Sequence, residues 1–483
     1  MNSAIRNTPK LLLSLLALRL GGCTAEAPIE PAPAGNIAGS AGTFSSGGST
    51  VTAGAGNQPS TGGSSAGNGG SSAGGDANTS GGSPVGGANA QAGAGGTTAG
   101  TAGNGDGGAG GAASSHWVGT WACAPQLTQM ANLPPSPGLA GNTLRQMVHV
   151  SIGGARLRLR LSNQYGTSAV SMSSVHVAVS KGGGAIDAGT DHALTFAGVP
   201  SLNLAAGQSA QSDAFDFNLE SLSDLAISIH FTSQSGDVTG HPGSRTTSFL
   251  QSGNAVTAAS LPSAVKTEHW YFITGLDVMA DADSAAIVVL GDSITDGRGS
   301  TTDKNNRWPD VLAKRLQANS ATAKLGVLNM GIGGNSVLSG GIGPVALDRF
   351  DRDVIQQSGA RWLIVLEGVN DLGGGADVTK GLTDAYETFI AKAHTANMRA
   401  YGVPILPIGG SSYAVGESVR QSVDDWIRTS MSFDAVIDLD AAVRDPDKPN
   451  QLLDSYDSGD HLHPSAAGYQ KMGESVDLSL FNP

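Results

Sequence analysis

Four short groups of residues in the second half of the chain carry the side chains that acyl transfer needs. Gly291-Asp292-Ser293-Ile294-Thr295 follows the apolar run Ala286 to Leu290. Asn329-Met330-Gly331-Ile332-Gly333-Gly334-Asn335 runs on from a second apolar stretch, and Gly368-Val369-Asn370-Asp371 comes after a third. Asp460-His461-Leu462-His463-Pro464 stands shortly before the last helical pattern. A serine hydroxyl is a weak nucleophile at neutral pH and needs an adjacent base. His463 can take that proton and later give it to a leaving alcohol. Asp460 can hold the imidazole in the productive tautomer and stabilise its cation. Asp292 has no direct chemical part in such a scheme and reads as the residue that fixes the turn exposing Ser293. Each group alone is weak, because Gly, Asp and Ser are ordinary turn residues. Their shared position after predicted strands gives the set its meaning.

The elements that must place them alternate regularly. Ala286 to Leu290, Leu325 to Met330, Trp362 to Leu366, Ala400 to Leu406 and Ala435 to Leu439 read as short buried strands. Between and after them, Trp308–Leu316, Val345–Gln357, Leu382–Ala396, Val419–Met431 and Ala466–Leu478 have helical spacing. Alternating strand and helix predicts an α/β domain over 281–483 with a parallel sheet. Ligands of such sheets bind beyond the carboxyl ends of the strands. All four groups therefore converge on one edge of one sheet.

The region from about 285 to 483 closely resembles the GDSL, or SGNH, hydrolase superfamily. The resemblance implies a flavodoxin-like three-layer fold and a carboxylic ester hydrolase without a cofactor. It places the nucleophile on Ser293 and the acid-base pair on Asp460 and His463. It places the oxyanion hole on the backbone N–H of Ser293, on Gly334 with Gly333 as its neighbour alternative, and on the side chain of Asn370. Such donors meet the charge that develops on the carbonyl oxygen, and losing one typically costs on the order of 10²- to 10³-fold in rate.

Upstream, the composition divides the chain of 483 residues into unlike parts. Residues 116–280 carry strand patterns, among them Thr143 to Ser151, Ala155 to Ser162, Val175 to Val179 and Ser223 to Phe231. Glycine-rich turns separate them, which predicts an all-β sandwich of jelly-roll-like type. Trp117-Val118-Gly119-Thr120-Trp121, Leu144-Arg145-Gln146, Asn163 and Tyr165-Gly166-Thr167 resemble the β-domain that one bacterial subgroup of the superfamily places ahead of its hydrolase. Arg156, Arg158 and Arg160 alternate with leucines and read as one solvated face, with a carbohydrate-binding face as the sharper alternative that the scarcity of aromatics weakens.

Residues 24–115 are mostly Gly, Ala, Ser, Thr, Asn and Pro and contain no Lys or Arg. They cannot bury enough apolar surface to offset chain entropy and read as a disordered tether. Residues 1–23 combine a short basic start, an apolar run too short to span a bilayer, and Leu20-Gly21-Gly22-Cys23. This resembles a lipoprotein signal with Cys23 as the acylated residue, and it implies a secreted protein held at the bacterial envelope by a lipid anchor.

A net charge of -13 argues against nucleic acid as a partner. Only Cys23 and Cys123 are present, so no disulfide framework or cysteine-rich metal cluster is expected, and no metal site is assigned. Cys123 reads as a structural thiol. Two Gly-x-Ser-x-Gly runs, at 63–67 and 70–74, lie in the tether without the strand and helix such an elbow requires. The resemblance to the superfamily implies a carbohydrate or other small ester as substrate, with acetyl removal preferred. Lipid esters are the alternative, followed by a non-catalytic surface carbohydrate-binding protein and an acyltransferase on the same fold.

Overall fold

The computed structural model describes residues 115–482. Cys23 and the rest of residues 1–114, read from the sequence as leader and tether, lie outside the described residues. The centre of the second half is a parallel sheet of five strands, β1 (Ala285–Gly291), β2 (Leu325–Gly331), β3 (Ala360–Leu366), β4 (Arg399–Gly402) and β5 (Ala435–Val436). Their order is β2-β1-β3-β4-β5, and every pairing is parallel. Every residue of β1 is buried, which explains its unbroken apolar character. Helices Trp308–Ala318, Thr379–Thr395, Glu417–Thr429 and Ala466–Ser475 flank the sheet sequence. In Glu417–Thr429 the buried Val419, Val423 and Ile427 recur every four residues, and so form one apolar stripe.

Three elements differ from the sequence expectation. The fifth strand, expected over Ala435 to Leu439, ends at Val436, and Leu439 opens a short helix, Leu439–Val443, capped by the Asp438 side chain. The stretch read as one helix over Val345–Gln357 is a short helix, Ala346–Phe350, followed by a π turn at Asp351–Ile355. The fourth strand ends at Gly402 instead of Leu406. Pro404 and Pro407 explain this, since a proline has no N–H to give to a ladder.

The first half is strand-rich. One antiparallel sheet contains Ser115–Ala122, Ile273–Asp281, Gly154–Ser162 and Phe215–Leu219 along its path. A larger one is built around Asn142–His149, Val170–Gly182, Asp224–Ser233 and Ser248–Ser252. A small third sheet joins Trp270–Tyr271, Thr239–His241 and Gln126–Leu127. Leu157, Leu159 and Leu161 are completely buried, as their alternation requires.

The arginines between those leucines do not form a solvated face. Arg156 is exposed, but Arg158 and Arg160 lie about one-fifth exposed against buried Asp277. Arg158 also donates to Ser358 Oγ at 3.0 Å, and Arg160 to Gln357 Oε1 at 2.7 Å. Both acceptors belong to the α/β part, so this face is a seam. A single apolar cluster runs through both parts. At the edge strand β2, Val327 N–H donates to Ser151 Oγ at 3.0 Å, and that hydroxyl donates to Thr120 O at 2.6 Å. The strand-rich part thus covers an edge that would otherwise present unpaired backbone groups.

Candidate active site

β1 ends at Gly291, and the chain turns at once into a single helical turn, Ser293–Asp296. Asp292 caps that turn: its Oδ1 accepts the N–H of Ile294 at 2.9 Å. Burial raises the Asp292 carboxyl to about 7. Its place is that of the turn-fixing residue, with no contact to the reacting atoms. Asn329, at the end of β2, donates to Thr295 O at 2.7 Å and ties the same turn to the neighbouring strand.

Ser293 Oγ lies 2.8 Å from His463 Nε2. His463 Nδ1 lies 2.7 Å from Asp460 Oδ2, and the other carboxylate oxygen accepts the backbone N–H of His463 at 2.9 Å and of Leu462 at 3.1 Å. Nδ1 facing a carboxylate leaves Nε2 free to accept the serine proton. Burial would raise the Asp460 carboxyl, but these bonds hold it down at about 2. Burial lowers the His463 imidazole from its usual value, and the Asp460 carboxylate offsets part of that. The structure therefore brings together Ser293, His463 and Asp460 from opposite ends of the α/β part.

The oxyanion candidates converge on the same place. The N–H groups of Ser293 and Gly334 donate to no other described residue. Ser293, Gly333, Gly334, Asn370 and His463 line one cleft. Gly334 has a left-handed φ of 74°, and a Cβ there would lie 2.9 Å from Ile342 Cδ1. Gly334→Ala should lose about 1–2 kcal/mol of stability in a denaturant titration. Its esterase rate should fall at least tenfold, because the N–H is turned from the position where charge develops. Asn370 Nδ2 donates to Asn335 O at 2.7 Å, and Tyr413 Oη donates to Asn370 Oδ1 at 3.0 Å. The two contacts fix which way the amide faces and leave its second hydrogen free.

One buried side chain ties the strand ends together. Arg349 donates to Met330 O at 2.7 Å, Gly291 O at 3.0 Å and Asn335 Oδ1 at 2.9 Å. It also contacts Asp353 and Glu367, each at 3.2 Å. The Glu367 carboxyl is pushed well above the carboxylate range by burial, against the pull of Arg349. Sequence reading missed Arg349 and Tyr413, and it placed Asn335 in the second group without a role. Tyr413 and Arg349 sit in stretches with no motif around them, and only the fold reveals their partners.

The strand-rich part also reaches the cleft, through Gln126, Gln129, Asn132, Arg245 and His269. His461, two residues from His463, instead turns to Asp457 Oδ2 at 2.6 Å. Cys123 is buried, and that burial pushes its thiol far above the usual range, which removes it as a nucleophile.

Residues 289–471 match the model of the GDSL-like lipase/acylhydrolase family. No curated protein matches the chain. Among solved structures, Est24, a carbohydrate acetylesterase from Sinorhizobium meliloti, is 13% identical; the alignment covers 40% of this chain and 96% of Est24 with a TM-score of 0.33. The acetylxylan esterase Axe2 from Geobacillus stearothermophilus is 19% identical, over 40% of this chain and 93% of its own, with a TM-score of 0.31. The native aryl esterase of M. smegmatis is 16% identical, over 40% and 96%, with a TM-score of 0.32. The matched region 289–471 contains Ser293, Gly334, Asn370, Asp460 and His463, and the match supports a carboxylic ester hydrolase of the GDSL-like lipase/acylhydrolase kind.

Proposed function

We propose that the chain hydrolyses short-acyl esters of polar alcohols through an acyl-enzyme on Ser293. The observation that carries this is the continuous contact from Ser293 Oγ to His463 Nε2 and from His463 Nδ1 to Asp460. Ser293 Oγ attacks the carbonyl carbon while its proton passes to His463 Nε2. Negative charge collects on the carbonyl oxygen between the N–H groups of Ser293 and Gly334 and the amide of Asn370. Collapse breaks the bond to the alcohol, which leaves with the proton from His463. Water then attacks the acyl carbon, gives its proton to His463, and displaces Oγ, which takes that proton back as the acid is released.

The lining of the cleft supports a small polar substrate. It encloses about 470 Å³ and presents Gln126, Gln129, Asn132, Arg245 and His269 from the strand-rich part. His269 Nδ1 donates to Pro242 O at 2.7 Å, so its Nε2 is left as an acceptor. Ile342 and Leu462 are the aliphatic side chains on the wall, too few to bury a long acyl chain. An acetyl group on a carbohydrate or small alcohol fits this better than a lipid. The purified chain should turn over p-nitrophenyl acetate and butyrate faster than the octanoate. A preference for octanoate would establish the lipid reading, and no turnover of any ester would overturn the esterase mechanism.

His463 must be neutral to accept the serine proton. Its lowered proton affinity keeps it neutral further into acid than an ordinary imidazole, whose value is about 6.5. kcat/KM should therefore fall with unit slope on an acid limb whose midpoint lies below about pH 6.5. A pH-rate profile with its acid limb centred above neutrality would contradict this.

The chain is further proposed to work at the bacterial envelope, anchored by acylation of Cys23, with 24–115 as a tether that lets the enzyme reach away from the lipid. The leader pattern supports this reading, and no helix among the described residues is long and apolar enough to cross a membrane. The protein should fractionate with membranes, and Cys23→Ala should release it. Retention of that variant in the membrane fraction would overturn the anchor.

A further inference from the structure

A second histidine–aspartate pair sits beside Ser293, and the proposed mechanism makes no use of it. Asp296 closes the one-turn helix that begins at Ser293 and is 1% exposed. Its Oδ1 lies 2.9 Å from Nε2 of His241, which is 3% exposed. His241 comes from the strand-rich part, in the strand Thr239–His241. Its Nδ1 lies 2.9 Å from Ala124 O. A carbonyl can only accept, so Nδ1 carries a hydrogen. The contact to Asp296 then requires one more proton between imidazole and carboxyl. The ring is further held by stacking on Trp270, 5.7 Å between centroids. Beyond His241, the segment Pro242–Arg245 follows the cleft wall. Gly243 packs so closely on the Asp296 carboxylate that a Cβ there would overlap it, and Arg245 Nη2 stands 3.7 Å from Asp296 Oδ2.

We propose that His241 is a positioning residue for the esterase reaction: by clamping Asp296 it sets the helical turn that aims Ser293 Oγ at His463. The strand-rich part then belongs to the catalytic apparatus. The turn has only four residues, and its own helical bonds cannot hold it against thermal motion. It is fixed at its start by Asp292, in its middle by Asn329 to Thr295 O, and at its end by His241 to Asp296. The third anchor is the one that crosses from the other part of the chain. A misplacement of about 1 Å at a reacting atom can cost on the order of 10²-fold in rate.

This rests on Ser293 being the nucleophile, and the experiment separates the two claims. His241→Phe keeps a flat ring against Trp270 but removes both hydrogen bonds. Because it also strands a buried carboxylate, it is paired with the double variant His241→Phe/Asp296→Leu, which removes that charge. Each is assayed for kcat and KM on p-nitrophenyl acetate, for the rate of Ser293 labelling by a fluorophosphonate, and for melting temperature. In the double variant, kcat and the labelling rate should fall at least tenfold with KM changed less than about threefold, while melting returns toward the wild-type value. Imidazole added to His241→Ala should restore part of kcat. Wild-type kcat and labelling in a double variant that melts like the wild type would overturn the proposal. A double variant that fails to fold leaves the imidazole arm to decide, and no rescue there overturns it as well. Wild-type enzyme that is not labelled at Ser293 at all would overturn the serine mechanism itself.

Discussion

Ser293→Ala is expected to lower the kcat of ester hydrolysis by on the order of 10⁴-fold or more, with little change in stability. The side chain lost is small and makes one hydrogen bond, to His463, so the cost to folding is about 1 kcal/mol. What disappears is the only hydroxyl within reach of the His463 imidazole in the described contacts. His463→Ala should cost a similar factor, because a serine without its base keeps its proton. The double replacement should be hardly worse than either single one, since members of such a unit do not act additively. The check is steady-state turnover of p-nitrophenyl acetate beside a melting curve for each variant. Ser293→Ala protein that melts normally and retains more than about one-hundredth of the activity would place the nucleophile elsewhere.

Arg349→Leu should produce the largest loss of stability at any single position near the site, about 3–5 kcal/mol. Arg349 is 1% exposed and offers all three of its nitrogens to partners. Removing it strands the Glu367 carboxyl, which is as deeply buried and has no other cation against it among the described residues, whereas Asp353 keeps Arg352. The carbonyls of Gly291 and Met330, immediately before the serine turn and the glycine loop, lose a donor at the same time. Activity should therefore fall along with the urea midpoint. Arg349→Lys should restore part of the charge balance but not the forked set of bonds, leaving most of the defect in place. An Arg349→Leu protein with an unchanged urea midpoint would show that the network contributes nothing net.

The residues that were legible in the sequence are those whose chemistry is carried by type and local spacing. Ser293, Asn370, Asp460 and His463 stood in short motifs, and the buried apolar runs of β1, β2 and β3 announced a parallel sheet. Arg349 was not legible, because an arginine in a helical stretch ordinarily points to water. Its five partners come from four separate segments, and no local pattern encodes them. His241 had no motif to mark it for the same reason: Asp296 lies 55 positions away, in the other part of the chain. The alternating arginines misled because alternation shows that two faces differ but not what covers the polar one. Here Asp277, Gln357 and Ser358 cover it. The fourth strand was read too long because its apolar run hid two prolines that end the ladder.

The cover over β2 has a consequence for how the two parts must be made. An uncovered strand edge recruits other chains, and a protein's defence against that is normally local to the edge, through charges, prolines or bulges. β2 reads Leu-Gly-Val-Leu-Asn-Met-Gly and has none of these; its Val327 N–H is satisfied by Ser151 instead. Colloidal behaviour is thereby delegated to a segment synthesised more than 170 residues earlier. Because the strand-rich part precedes β2 in the chain, its surface can be in place when β2 forms, and the interval in which a sticky edge is exposed is kept short. The same residues severed from their upstream partner would be expected to associate with one another before they ever met an ester.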